Sequence, residues 1–108
     1  MSNELKVTGG EWFSKREGFS TVYVFSRIGG GLVQEVAACG PTNDGQDQQE
    51  ANAHLLTASK KLYEALDACA SYMEQLRASG DAGFWDWKAG DEYSNAIAAL
   101  AAARGEAQ

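Results

Sequence analysis

Cys39, His54 and Cys69 are the side chains in this sequence best able to ligate a soft metal, or to pair as a nucleophile and its base. Each stands 15 positions from the next. A zinc site usually takes four ligands, supplied as close pairs, and no two of these are local. No metal site is therefore expected. A Cys–His pair would have to be made by the fold alone and carries no local signature. His54, beside Leu55, reads instead as a surface or boundary position on a helix. Gly29-Gly30-Gly31 could in principle hold a phosphate on backbone amides. The dinucleotide fingerprint, however, needs spaced glycines opening a helix, and a P-loop needs a following Lys-Ser/Thr. These glycines are contiguous and lead into an alternating apolar segment, so they read as a hairpin loop. Asp44, Asp47 and Glu50 read as a solvated loop and a helix cap, with no apolar pocket to split their pKa values. The inventory names no catalytic residue and no cofactor, and the chain is expected not to be an enzyme.

Recognition chemistry is better represented. Trp85 and Trp87 flank Asp86 in a glycine-bounded connection. Tryptophans at alternate positions beside an acid suit a protein-binding hot spot. They suit equally a lid over a small core, and the scarcity of aromatic bulk favours the lid. Asp81, Asp91 and Glu92 extend the acidic character of this stretch. The net charge is −6. Residues 1–39 are balanced, so residues 40–108 carry the whole excess. Nucleic acid and anionic membranes call for a basic face, and none is evident. A basic protein surface is the favoured partner, for example the nucleic-acid-binding surface of another protein.

The elements that must position these groups follow from periodicity. At 108 residues, with 44% hydrophobic and 22% charged positions, one domain over 1–108 is expected. Residues 11–16, 20–28 and 32–39 are rich in β-branched and aromatic types and should form a three-stranded antiparallel meander over 11–39. Val22, Val24, Ser26 and Ile28 would lie on one face, with Tyr23, Phe25 and Arg27 on the other. Gly40-Pro41 ends the sheet. Asp47 and Glu50 have capping-box spacing, which starts a helix running over 47–79. Leu55, Leu62, Cys69 and Leu76 recur every seven residues, and Leu56, Tyr63 and Ala70 form a flanking stripe. Thirty residues of helix reach about 45 Å, farther than a small sheet can cover. The distal set Leu66, Cys69, Met73 and Leu76 therefore needs a second cover, either the C-terminal helix over 91–104 or a second copy in a homodimer. The fold class is α+β: a meander packed against a long amphipathic helix, with a shorter C-terminal helix. The N-terminus has no apolar leader, and no apolar run approaches the length of a membrane span.

Several stretches resemble the small accessory proteins of tailed-phage and prophage genomes. They are Gly10-Glu11-Trp12, Val36-Ala37-Ala38-Cys39-Gly40-Pro41, the run from Glu50 to Ser59 (Glu-Ala-Asn-Ala-His-Leu-Leu-Thr-Ala-Ser), and Leu62-Tyr63-Glu64-Ala65-Leu66. Typical members of that group carry an Ala-Ala-Pro step where Ser59-Lys60-Lys61 stands here, so this helix is expected to run unbroken. The resemblance implies phage origin, the host cytoplasm and a non-enzymatic role. It also implies a binding protein that occludes a host protein, in the manner of anti-CRISPR inhibitors of host defence. The alternative reading is a small-ligand binder, such as a sponge for a nucleotide second messenger, with Lys60 and Lys61 offsetting the acidity.

Overall fold

The computed structural model describes residues 5–79 and 91–106. Its elements are β1 (Glu11–Glu17), β2 (Thr21–Gly29), β3 (Leu32–Cys39), α1 (Gln46–Ser79) and α2 (Asp91–Ala103). The three strands form an antiparallel sheet in the order β1-β2-β3, as their alternation requires. The chain falls into two compact units, Met1–Lys60 and Lys61–Gln108.

In the first unit, β2 is the central strand and its two faces differ. Val22, Val24 and Ser26 are buried, while Tyr23 and Phe25 on the other face are half-buried. Ile28, expected on the buried face, is 46% exposed. The cause is a register shift between Arg27 and Gly29 that leaves Ile28 as an extra residue in the ladder. A second shift, between Val24 and Phe25, leaves Val36 as the extra residue on β3. Such bulges increase local twist and spoil an edge for further pairing. The β2–β3 loop is the expected hairpin. Gly30 and Gly31 take φ of 61° and 77° between the paired residues Gly29 and Leu32. Two consecutive positive φ values define the tight turn whose twist matches the strands.

Entry into β1 depends on a different glycine. Gly10 has φ of 85°, and a Cβ built there would lie 2.0 Å from the carbonyl oxygen of Arg27. The backbone can approach β2 this closely only without a side chain. Around it, the Ser26 hydroxyl donates to the Gly9 carbonyl, and the Trp12 indole donates to the Thr8 carbonyl at 3.0 Å.

Helix α1 starts at Gln46, one residue before the expected position. Asp47 therefore sits in the first turn, where it complements the helix dipole but does not cap it. The Gly45 carbonyl accepts the first helical hydrogen bond, from the amide of Gln49 at 3.3 Å, and also accepts from the Thr42 hydroxyl at 3.0 Å. The helix is continuous through Ser59, where the Ala-Ala-Pro step is lacking.

The second unit holds the later turns of α1 and the whole of α2, in which Tyr63, Ala70 and Leu100 are buried. Helix α2 ends on Gly105, which has φ of 79°. The amide of Glu106 donates to Ala101 and that of Gly105 to Ala102, both at 3.0 Å. This is the Schellman stop that a glycine after an alanine-rich helix permits.

The face of α1 differs from the sequence expectation. Of the heptad set, Leu55, Leu62 and Cys69 are exposed and Leu76 is half-buried. Buried positions are Gln49, Ala53, Tyr63 and Ala70. Of the flanking stripe, Tyr63 and Ala70 are thus covered, and Leu56 stays 43% exposed.

Candidate functional site

In the first unit the geometry is concentrated where the opening turns of α1 meet the sheet. Arg16 on β1 spreads its guanidinium over three acceptors: Nε on Glu50 at 2.9 Å, a terminal nitrogen on Gln49 Oε1 at 2.8 Å, and the other on the Phe19 carbonyl at 3.3 Å. Gln49 is 2% exposed and donates through Nε2 to the carbonyls of Ser20 and Cys39, each at 2.8 Å. Every polar atom of this amide side chain is thereby matched, as burial requires. Beneath it, Val22, Cys39 and Ala53 pack together. At the far end of the unit, Lys60 Nζ reaches the carbonyls of Gly10 and Thr8 at 3.2 and 3.5 Å.

Beside the Arg16–Glu50 pair is a shallow pocket of about 210 Å³, lined by Ser14, Lys15, Arg16, Val22, Glu50 and His54. Small-molecule sites usually occupy about 300–1,000 Å³, and the charged groups here already have partners within the chain. Arg16 is held as described, and Lys15 pairs with Glu17 at 3.4 Å. His54 lines this pocket while Cys39 lies in the small core and Cys69 is exposed on α1. Among the described residues, no three of His, Cys, Asp and Glu gather as metal ligands.

The opposite face of the sheet carries aromatic side chains in a row. The Phe25 ring lies 5.6 Å from Phe13, tilted, and 5.6 Å from Tyr23, stacked. Arg27 lies over Phe13 at 4.1 Å to the centroid and pairs with Glu11 at 3.3 Å. Sequence alternation placed Tyr23, Phe25 and Arg27 on one face. It missed Phe13, which joins them because Phe13 pairs directly with Phe25 across strands. Two further apolar features were also missed. Phe19, in the β1–β2 turn, is 92% exposed, and Leu32 and Val33 are exposed at the start of β3. The signal available was their position beside glycine turns, which project side chains from the end of a hairpin.

In the second unit, the Tyr93 hydroxyl donates to Glu74 Oε1. This hydrogen bond to a carboxylate raises the Tyr93 pKa, with partial desolvation adding to it. Arg104 donates to Glu106 at 2.8 Å and to the Tyr63 hydroxyl at 2.8 Å. Those bonds raise the Arg104 pKa, and the guanidinium lowers that of Glu106.

The predicted partner-facing set is only partly described. Asp81, Trp85, Asp86 and Trp87 lie outside the described residues. Asp91 opens α2, and Glu92, next to it, is exposed. The tentative dimer set divides: Cys69 faces solvent, while Leu66, Met73 and Leu76 are half-buried. No helix among the described residues is long and apolar enough to cross a membrane.

Architecture and surface together describe a small α+β protein whose described polar clusters brace its own elements. The chain belongs to the family of the Salmonella phage P22 protein Y8K6, whose model matches residues 1–107. No curated protein and no solved structure matches the chain. The stretches singled out in the sequence have these places in the fold. Gly10-Glu11-Trp12 is the close approach to β2, Cys39-Gly40-Pro41 is the sheet exit onto Gln49, and Glu50 to Ser59 is the stretch of α1, nearly three turns long, that carries Glu50 and Ala53.

Proposed function

We propose that this phage-family protein is a non-enzymatic binding protein, active in the host cytoplasm. By this reading it inhibits a host defence system, in the manner of anti-CRISPR proteins, by occluding a surface of a host protein. The observation that carries the proposal is the uneven allocation of apolar surface. Phe19 at 92% and Leu32 at 65% exposed stand at the sheet's turns, while the polar groups around Arg16 and Gln49 are consumed internally. Large exposed aromatic and aliphatic groups are what interface anchors are made of. The acidic excess of residues 40–108 supports a basic partner surface. Asp81, Trp85, Asp86, Trp87, Asp91 and Glu92 are the partner contacts the sequence suggests.

The test is affinity capture from host lysate with tagged wild-type protein and with Phe19→Ala, alongside a phage-interference assay in a strain whose defence system is active. The expected result is one stoichiometric host protein, retained by wild type and lost by the variant, together with relief of interference. Absence of any stoichiometric protein overturns the proposal. A rise in melting temperature with cyclic nucleotides, in that same absence, would instead establish the ligand-sponge reading, because a bound ligand stabilises by mass action.

A further inference from the structure

The two edges of the sheet are built differently. Between β2 and β3 the ladder is interrupted at Val36 and again at Ile28. Along β1 all seven residues keep one unbroken register with β2, from Glu11 opposite Arg27 to Glu17 opposite Thr21. With the order β1-β2-β3, the outer N–H and C=O groups of β1 face away from the ladder. Among the described residues, backbone bonds outside the helices and the ladder lie in the 42–49 turn and at the end of α2, and none reaches β1. Such an edge is a template for another strand, and natural sheets guard theirs with bulges, proline or charge. β1 has no bulge and no proline. Its guard is charge: Glu11, Lys15, Arg16 and Glu17.

We propose that β1 pairs with β1 of a second copy, antiparallel about a two-fold axis at Phe13, so that two sheets join into one of six strands. Directly opposite residues of an antiparallel pair share a face, so a two-fold pair must set one residue of β1 opposite itself. Three centres keep five residues or more of β1 in the ladder: Phe13, Ser14 and Lys15. A Ser14 centre sets Glu11 against Glu17, and a Lys15 centre sets Lys15 against Lys15. The Phe13 centre sets Glu11 against Lys15 twice, Trp12 against Ser14 twice, and Phe13 against Phe13. Of the three, it alone sets no like charges directly opposite. Glu11 holds Arg27 at 3.3 Å, and Lys15 holds Glu17 at 3.4 Å. Once joined, each end runs Arg27, Glu11, then Lys15 and Glu17 of the other copy, alternating in sign. The same register extends the aromatic row. Tyr23, Phe25 and Phe13 follow one another at 5.6 Å, and Phe13 of the other copy continues them across the axis. The edges left on the joined sheet are the two β3 strands, whose irregular ladders oppose further addition. The assembly therefore closes at two. A ladder of five residues is short beside the roughly 800 Å² per partner of a standard interface, so the dimer is concentration-dependent.

Sedimentation equilibrium of the full chain across micromolar to submillimolar concentrations tests the mass, and wild type is expected to approach twice the chain mass. Glu11→Lys and Lys15→Glu alter exposed side chains, and each variant alone sets like charges opposite one another at both ends. Each should weaken association about tenfold, with unchanged circular dichroism. An equimolar mixture of the two variants restores both opposite-charge pairs and should recover the wild-type strength. In a Cys69→Ser background, Phe13→Cys should crosslink to its counterpart under mild oxidation. Ser14→Cys should not, because the two Ser14 positions are offset by about 7 Å along the strands as well as across them, beyond disulfide reach. A monomeric mass at every concentration overturns the proposal. So does a mixture that associates no better than its components, or an efficient Ser14→Cys crosslink, which requires the Ser14 centre.

Discussion

Residues 1–60 and residues 61–108 hold their helical segments by different means. In the first, α1 is joined to the sheet through a buried amide, Gln49, and a guanidinium, Arg16, both matched on every side. In the second, α1 and α2 are linked through side-chain tips: Tyr93 to Glu74 and Arg104 to Tyr63. Buried polar contacts are costly to leave unmade, and that cost fixes one geometry. Contacts between partly exposed tips are screened and replaceable by water. The first unit should therefore be the intolerant one, with single substitutions acting through geometry. The second should answer chiefly to loss of apolar volume.

The largest effect is expected at Gly10. Its alanine variant places Cβ 2.0 Å from a backbone carbonyl and forces β1 and β2 apart. A loss of about 4 kcal/mol is expected in chemical denaturation, at the upper end for single substitutions. Gly18 has a similar φ of 75° but open space around it, and its alanine variant should lose only about 1 kcal/mol. Equal losses at the two would show that backbone conformation alone, without the close approach, sets the cost. Next is Leu100, 3% exposed in α2. Leu100→Ala should cost about 3 kcal/mol through lost burial and the cavity left behind, with amide exchange rising first in α2. If the strand amides rise equally, the distinction between the two regions fails.

Gln49→Leu follows, at about 2 kcal/mol. It strands the carbonyls of Ser20 and Cys39 and frees one arm of Arg16, while the apolar volume is kept. A neutral result would mean that water takes the place of the amide. The smallest effect is a pH dependence. The Tyr93 pKa is raised in the folded state, so its contribution to stability is fully present below the unfolded value near 10 and is lost as pH rises through the folded value. Ultraviolet titration should show one tyrosine ionising late. Glu74→Gln should bring that midpoint down, and an unchanged midpoint would remove Glu74 as the cause.

Much of the architecture was legible. Alternation located the three strands and separated Val22, Val24 and Ser26 from Tyr23 and Phe25, because a strand's side-chain period is two whatever surrounds it. Glycine and proline placed the turns and the end of the sheet. The bulge at Ile28 was not legible, since an extra residue in the ladder leaves no mark on composition. Nor were Gln49 and Gly10 singled out for what they do. A glutamine in a polar run looks solvated until the fold sets two carbonyls beside it.

The amino-acid order by itself determined where the strands and helices lie and that α1 would run without a break past Ser59. Those outcomes rest on local sterics and short-range hydrogen bonds, which neighbouring residues settle among themselves. Only the tertiary structure decided which stripe of α1 is covered. Two apolar stripes share one helical period, and the heptad leucines Leu55 and Leu62 lie on the side left open. In the first turns the covered side is the one carrying Gln49, whose amide meets the Ser20 and Cys39 carbonyls, a meeting that no periodicity in the sequence encodes.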